Sequence, residues 1–579
     1  MKKLLRPLLF LCIIIAGLSS CKNEVPKEAK YIPKDASFVM VLDPQQMQDK
    51  LQKGGISMDT LIGKIFKSDS ADIKDKKKFE ELRTNAGINW GNKLFVFMLN
   101  KTNTDNSISN TFSLIGGISD SAKFTAFLKK QEELKDKEIK KEKDYSYINI
   151  DDGGMLAWND QLIIATRYSH TQKPSYDSVT MSFKQPEPAN VAEETKSQVT
   201  RYFTQKVNES LADQKMFTSM FKEKADGYLF TSANSSLATL SALPFQIPKL
   251  EELVKDNYST STLSFDDGKI SVKSTTYPSP LLANVFKQYS GPTVNLSLLE
   301  NYPSKNINGV MMFAFNPEIF GGILKQLEIE GLANNFMEKT GIGTQDLYHA
   351  LKGDICVVVS DLDFSGKKEP EPELKHDERS MMGKKSIGKM ILNAPVGDKT
   401  SFFKLMDKAL EQGFLVKNNN MYKSGGLLAS LGIYIAADDK NLIIASDSLT
   451  YAAYMAKTEK AVMNKDVMDM FKNKSAVFYF DIANTINGFG NGLTGNYNHS
   501  MTTAKNTFKD VIGTSANFDG KSIKASFDVR MQNEKQNSLV TLTSLLTDIA
   551  VDMRVTAKKE RESEEKLFLG GVPAIIRTN

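Results

Sequence analysis

MFKEKADGYLFTSANSS, Met220 to Ser236, returns 250 positions later as MFKNKSAVFYFDIANTI, Met470 to Ile486. Met220, Phe221, Lys222, Phe230, Ala233 and Asn234 recur as Met470, Phe471, Lys472, Phe480, Ala483 and Asn484. One such echo means little; its neighbours decide whether the chain carries a repeat, and with it the fold.

Working outward, four more pairs keep the same order. ASFVMVLDPQQMQDKL (Ala36 to Leu51) matches INGVMMFAFNPEIFGGIL (Ile307 to Leu324), each an apolar run followed by a polar residue, Pro and a helix-like segment, with Asp43-Pro44 against Asn316-Pro317. AGINWGNKLFVFML (Ala86 to Leu99) matches TGIGTQDLYHALKGDICVVV (Thr340 to Val359), a Gly-Ile turn and then a Gly-led apolar strand. FSLIGGISDSAKFTAFLKK (Phe112 to Lys130) matches GKMILNAPVGDKTSFFKLMDKAL (Gly388 to Leu410), strand then helix, with Asp120 and Phe124 against Asp398 and Phe402. LAWNDQLIIAT (Leu156 to Thr166) matches IAADDKNLIIAS (Ile435 to Ser446).

Each unit closes on a hairpin signal. In STLSFDDGKISVKS (Ser261 to Ser274) and TSANFDGKSIKASFDV (Thr514 to Val529), Asp-Gly sits between alternating apolar and polar residues, which predicts a tight turn between antiparallel strands. Alternation predicts a sheet with one face on a core and the other in water. Helix-like segments follow, LLANVFKQ (Leu281 to Gln288) and SLVTLTSLLTDIAVDM (Ser538 to Met553). The expected fold is α+β, two tandem copies of a unit of mostly antiparallel sheet covered by helices. Residues 31–290 form the first repeat and 303–560 the second, with a tail over 561–579. The halves differ in exposed insertions near His170 to Lys196, Ser365 to Lys385 and Ile486 to Ser500, where unequal binding groups are expected.

The first 21 residues, MKKLLRPLLFLCIIIAGLSSC, place Lys2, Lys3 and Arg6 before an apolar run from Leu8 to Leu18. This is a secretory signal layout, and the run is far short of the ~20 residues a membrane-spanning helix needs. Residues 1–20 are the expected signal peptide and 21–30 a polar tether. Leu18, Ser19 and Ser20 before Cys21 resemble the lipobox read by signal peptidase II, which implies diacylglycerol on the Cys21 thiol and an acylated amine. Several chains at ~0.8 kcal/mol per buried methylene make a stable anchor. Lys22 stands where an aspartate would resemble an inner-membrane retention mark, so the outer membrane is expected; its periplasmic and surface faces both stay open. Cys12 leaves with the signal, and Cys356, in GDICVVV, reads as a buried strand residue, so no disulfide framework exists.

With the lipobox, the YIPKDA start (Tyr31 to Ala36) and the repeated units with Gly-Ile and Gly-Asp turns, the chain resembles an uncharacterised family of Bacteroidetes envelope lipoproteins. That resemblance implies an envelope protein of unknown activity and no catalytic residues to carry over.

The formal charge of +5 includes Lys2, Lys3 and Arg6, and the remainder is too balanced to make nucleic acid a main partner. KDKKKFEELR (Lys74 to Arg83) and KKQEELKDKEIKKEKD (Lys129 to Asp144) mix both signs and read as solvated helix faces. His170, His349, His376 and His499 show no HExxH spacing, and no GxSxG elbow occurs. DLDFSGKKEPEPE (Asp361 to Glu373) begins like a calcium loop but has Pro372 where a bidentate Glu is required. GFGNGLTG (Gly488 to Gly495) lacks the Lys-Ser/Thr of a phosphate loop, and Trp90 and Trp158 read as packing residues. No catalytic, cofactor or metal residue is assigned. A non-enzymatic binding or scaffolding protein acting through a surface made by the two repeats is the leading expectation, its partner another envelope protein. A glycan- or peptide-binding module and a hydrolase with dispersed carboxylates are the alternatives. An enzyme should show a deep pocket with close polar groups, a scaffold a broad apolar patch or groove.

Overall fold

The computed structural model describes residues 25–551 apart from short stretches, the longest of them 236–246 and 365–386. First-half strands are β1 (Phe38–Leu42), β2 (Leu94–Thr102), β3 (Ile108–Ile118), β4 (Lys140–Lys141), β5 (Ser146–Asn149), β6 (Gly154–Trp158), β7 (Leu162–Thr171), β8 (Gly227–Ser232), β9 (Tyr258–Asp266) and β10 (Lys269–Tyr277). Second-half strands are β11 (Ile307–Ala314), β12 (Asp354–Ser360), β13 (Lys389–Pro395), β14 (Leu415–Asn418), β15 (Met421–Ser424), β16 (Tyr434–Ala437), β17 (Asn441–Ala445), β18 (Ala476–Asp481), β19 (Phe508–Ser515) and β20 (Ile523–Met531).

All these pairs are antiparallel. The first half runs β4-β5-β6-β7-β3-β2-β1-β8-β9-β10. The second runs β14-β15-β16-β17-β13-β12-β11-β18-β19-β20, the same order with every label raised by ten. β10 pairs with β20, so the halves share one continuous sheet. Following the register outward from the buried pairs Val39–Phe230 and Val310–Tyr479 makes Lys273 and Ser526 counterparts. These two residues face each other across the join. A position meeting its own counterpart is the geometry of a two-fold contact.

Helices α1 (Pro44–Lys53), α2 (Ser121–Lys130), α3 (Val191–Thr204), α4 (Pro280–Gln288), α5 (Ile319–Gln326), α6 (Lys399–Glu411) and α7 (538–549) build the second layer. α2 and α6 occupy matching places and start alike: the carboxylates of Asp120 and Asp398 accept the N–H groups of Lys123 and Ser401, and Phe124 and Phe402 are buried. Each half has one large core on one face of the sheet and a smaller one on the other face, where Phe124 of α2 packs with Trp158 and Phe402 of α6 with Tyr422; the two large cores are distinct. One contains Phe97, Tyr202 of α3 and Phe230. The other contains Cys356, Phe471 and Tyr479.

The helices that follow the two long hairpins cross over. α4 leaves β10 and lays Tyr289 on α5 where Gly322 has no side chain; a Cβ there would fall 2.3 Å from the ring. α7 leaves β20 and sets Val540 over Gly54 at the end of α1, again 2.3 Å from where a Cβ would stand. Ser538 at the start of α7 donates to the Lys269 carbonyl at 2.8 Å, and Asn537 donates to that of Phe265 at 2.9 Å.

Several expectations are corrected. The echo that aligns Phe230 with Phe480 slips by one residue: Phe230 is fully buried opposite Val39, whereas Tyr479, not Phe480, lies opposite Val310. Because side chains alternate, that slip moves Phe480 to the other face. The first Asp-Gly makes a tight turn, with Gly268 at φ +70° between paired Asp266 and Lys269. The second lies inside a longer loop between Ser515 and Ile523. Of Lys129 to Asp144, only the first two residues are helical; Leu134 and Ile139 pack on the core at a spacing no helix face provides, so the chain turns and ends in β4. The stretch from His170 to Lys196 is not wholly an exposed insertion, because it contains the first turn of α3 with Thr195 buried.

Candidate functional site

The sheet face opposite the two large cores is where the structure departs furthest from the pattern of apolar-in, polar-out. Directly opposed residues lead from Val272 across Phe527, Gly513, Phe478 and Met311 to Val357, six strands without a polar side chain. The row then runs through Leu392 and Ile444 to Ile435, which packs on the smaller core under α6. These residues are half-buried or exposed: Met311 keeps 38%, Phe313 41% and Phe527 43% of its surface in contact with solvent. In the first half the same face carries Met40, Val96 and the exposed Phe112.

Beside the join this face opens into a cleft. One lobe, about 300 Å³, lies between Val272, Met311, Phe313, Phe478 and Phe527. A second lobe, about 230 Å³, continues past Phe313, Ala476 and Ser515 to Phe286 and Tyr289 of the crossing α4 and to Ile319 at the start of α5. Its rim is fixed by Asn517, which donates to the carbonyls of Gly291 (2.9 Å) and Pro292 (3.1 Å), and by the Phe286–Phe518 ring pair at 5.7 Å. Gly353 closes one wall from behind: its φ is +89°, and a Cβ would stand 2.0 Å from the Phe315 carbonyl oxygen. The linings contain aromatic, aliphatic, Ser, Thr and Asn side chains and no carboxylate, amine, guanidinium, imidazole or thiol.

The first half fills the corresponding place with charge. Asp43 N–H donates to the Asp226 carbonyl at 2.9 Å, and Ala314 N–H donates to that of Ser475 at 2.7 Å, which fixes Asp43 with Ala314 and Asp226 with Ser475 as counterparts. Asp226, its side chain fully buried, accepts the Lys50 ammonium at 2.5 Å and the Phe265 N–H at 2.6 Å. Lys50 also donates to the Phe265 carbonyl at 2.8 Å. Asp43 caps α1 through Gln46 and pairs with Lys93. Burial alone would raise the Asp43 carboxyl, but the bonds from Lys93 and Gln46 outweigh it and hold the group below the ordinary range. The sequence match of Asp43 with Asn316 is thereby corrected by two residues, Phe315 and Asn316 being additional before Pro317, and counting onward from Pro44 and Pro317 Lys50 corresponds to Ile323. Lys50, Asp43 and Asp226 are thus replaced by Ile, Ala and Ser. Losing one charge of a buried pair is costly, whereas losing these three leaves a neutral cleft lining; one carboxyl stays behind it, that of Asp354 opposite Ala314, which burial raises above the ordinary range.

Residues singled out in the sequence lie elsewhere. Leu18, Ser19, Ser20 and Cys21 are outside the described residues, as is 365–386 of the calcium-like loop. Asp361 of that loop is paired with Lys389 at 3.0 Å and accepts from Ser304. Cys356 is buried in β12, and burial pushes its thiol up to about 12. Trp158 is buried edge-on to Phe124, while Trp90 is half-exposed and donates to the Arg83 carbonyl. His349 meets Glu318 at 3.3 Å, and His170 lies 3.2 Å from Ser109. Among the described residues no three His, Cys, Asp or Glu gather where they could hold a metal, and no helix is long and apolar enough to cross a membrane. Met311, Phe313 and Phe527 escaped the sequence reading. The usable signal was VMMFA in β11, a run apolar at both parities, which means either a doubly covered strand or an apolar free face.

A family described as Domain of unknown function (DUF4836) matches residues 29–539, so the chain belongs to that family. No curated protein and no solved structure matches it.

Proposed function

Taking membership of that family as the premise, we propose that this is a non-enzymatic binding or scaffolding protein of the cell envelope. In this reading the lipobox at Leu18, Ser19 and Ser20 directs cleavage, and acylated Cys21 holds the protein to the outer membrane. The repeated strand order is a duplicated unit, and the surface made where its copies join is the working surface. The observation that carries the reading is the cleft itself: exposed Met311, Phe313 and Phe527 beside a lining whose hydroxyls, those of Tyr289 and of Ser and Thr residues, have no carboxylate, imidazole or amine among them to act as base. Contiguous exposed apolar surface of this kind favours association, while activating a hydroxyl needs a base within hydrogen-bond reach.

The test is photo-crosslinking in intact envelopes, with benzoylphenylalanine placed at Phe527 or, as a control, at exposed Val207. A discrete product from position 527 that disappears when Cys21→Ala releases the protein is expected. Equal products from both positions, or turnover of a glycan or peptide library that survives Phe313→Glu, would overturn the reading.

A further inference from the structure

The two halves differ where β15 (Met421–Ser424) hands over to β16 (Tyr434–Ala437). In the first half the counterpart link between β5 and β6 is four residues, 150–153, with Asp151 accepting from Arg167 at 2.8 Å. The second half uses nine, GGLLASLGI (Gly425 to Ile433), which form a one-turn helix, Gly426–Ser430, and the turn after it. From Ser424 to Ala437 the chain carries no charge. Leu427 is 58% and Leu431 66% exposed, and Ile433 and Phe414, the residue before β14, are exposed with them. We propose that this apolar tip enters the headgroup boundary of a lipid bilayer. The contact is made by the folded domain itself and depends neither on the junction cleft nor on an acylated Cys21.

The tip is a knob and not a groove: a Cβ added at Gly426, Gly432 or the nearby Gly413 would meet nothing within 4 Å. A protein partner would need a hollow of matching shape, whereas fluid lipid moulds itself around a protrusion. The knob is held in place, because Leu428 packs inward on the smaller core that contains Tyr422. Its polar groups are turned on one another. The Gly425 N–H donates to the Phe414 carbonyl at 2.7 Å, and the N–H groups of Ala429, Leu431, Gly432 and Ile433 donate to carbonyls within the tip. The Ser430 hydroxyl donates to the Leu427 carbonyl at 2.7 Å; that of Ser424 donates to the Ile433 carbonyl at 2.8 Å and accepts the Ile435 N–H at 2.6 Å. Polar groups satisfied within the segment are what a hydrocarbon environment demands, whereas a protein interface uses about one hydrogen bond per 100–200 Å². Of the flanking charges, Lys408 pairs with Glu411 at 2.6 Å, and Asp447 accepts from Ser446 and Thr450. Lys423, opposite Val416 on the strands below, is a cation at headgroup level. Apolar area, not charge, therefore drives entry.

The test uses the mature chain, residues 21–579 with Cys21→Ser so that no acyl chain contributes, and extruded vesicles of phosphatidylcholine alone at millimolar lipid. The chain should float with the vesicles, and raising the salt should change its binding less than about twofold. Leu427→Ser with Leu431→Ser should weaken binding at least about tenfold, with far-UV circular dichroism unchanged. In a chain whose leucines are intact, a nitrobenzoxadiazole dye on Ser430→Cys should brighten and shift to the blue when vesicles are added, and lipids carrying a quencher near the headgroup should quench it. The same dye on Val207→Cys, an exposed position of the first half, should not respond. No flotation, equal flotation of the double variant, or equal dye responses at 430 and 207 overturns the proposal. A chain that stays in solution as a dimer, dissociated by the double variant, would make a second copy the occupant and would also overturn it. So would a chain that ignores vesicles while a crosslinker at position 430 captures one discrete protein in envelopes. Phe313→Glu separates this contact from the junction cleft: flotation should be unchanged, and its loss would move the membrane contact to the cleft and overturn the assignment to the tip.

Discussion

Replacing Lys50 by Met should be among the more damaging single changes in the first half. Asp226 has no exposed side-chain surface and accepts two bonds, from Lys50 at 2.5 Å and from the Phe265 N–H at 2.6 Å. Without Lys50 a buried carboxylate keeps one neutral donor. Removing one member of a buried pair costs ~3–5 kcal/mol, and because 28% of the Lys50 side chain meets solvent the lower end applies, about 3 kcal/mol. Asp226→Ser alone strands the ammonium less severely, since it can turn outward to water. The double change Lys50→Ile with Asp226→Ser installs the residues of the second half at both positions and should cost less than the two single changes added together, about 1–2 kcal/mol. With Asp43→Ala and Lys93→Ala added, so that no charge is left at this place, it should also open a second apolar site and raise the number of bound anilinonaphthalene sulfonate molecules. Urea unfolding of the soluble mature chain, followed by far-UV circular dichroism, measures the first effect, and probe titration the second. If Lys50→Met cost under about 1 kcal/mol, or the double change cost the full sum, the account of how one half is locked and the other left open would be wrong.

Other outcomes follow from the same geometry. Cys356, its thiol pushed up to about 12 by burial, should resist a thiol reagent at pH 8 in the folded Cys21→Ser chain and react once urea unfolds it. Asp43→Ala removes the α1 cap and the partner of Lys93, costing about 1–2 kcal/mol at pH 7. Because folding lowers the Asp43 pKa, its contribution is present above the unfolded value near 4 and is lost as pH falls through the folded value, so the two unfolding curves should converge in acid. Arg530→Ala should cost about 3–5 kcal/mol, since it strands Asp510, whose side chain is 2% exposed and takes two guanidinium bonds at 2.6 Å. Phe313→Glu, at a site 41% exposed, should change stability by less than about 1 kcal/mol while removing probe binding.

The α+β class and the order of elements were legible because five ordered echoes and two Asp-Gly turns mark where strands begin and turn. Local chemistry was legible too: Asp120 and Asp398 cap their helices as the matched positions imply, and Cys356 lies inside a strand. Register was not. Where a strand is apolar at both parities, as in VFYFD and VMMFA, composition does not say which residues face the core, and the echo came out one residue off. The lock of the first half was invisible for a different reason: Lys50 and Asp226 are 176 positions apart and meet only through the pairing of β1 with β8. The cleft depends on that lock being absent from the second half, a difference that appears only once Ala314 and Ser475 are known to stand in for Asp43 and Asp226.

The central claim, that the join of the halves is the working surface, is tested most directly by the envelope crosslink at Phe527 repeated in the Phe313→Glu background. The account predicts a discrete crosslinked partner with Phe313 present and its loss with Glu, with anchoring and folding unchanged in both. A product from position 527 that is indifferent to Phe313→Glu would contradict it.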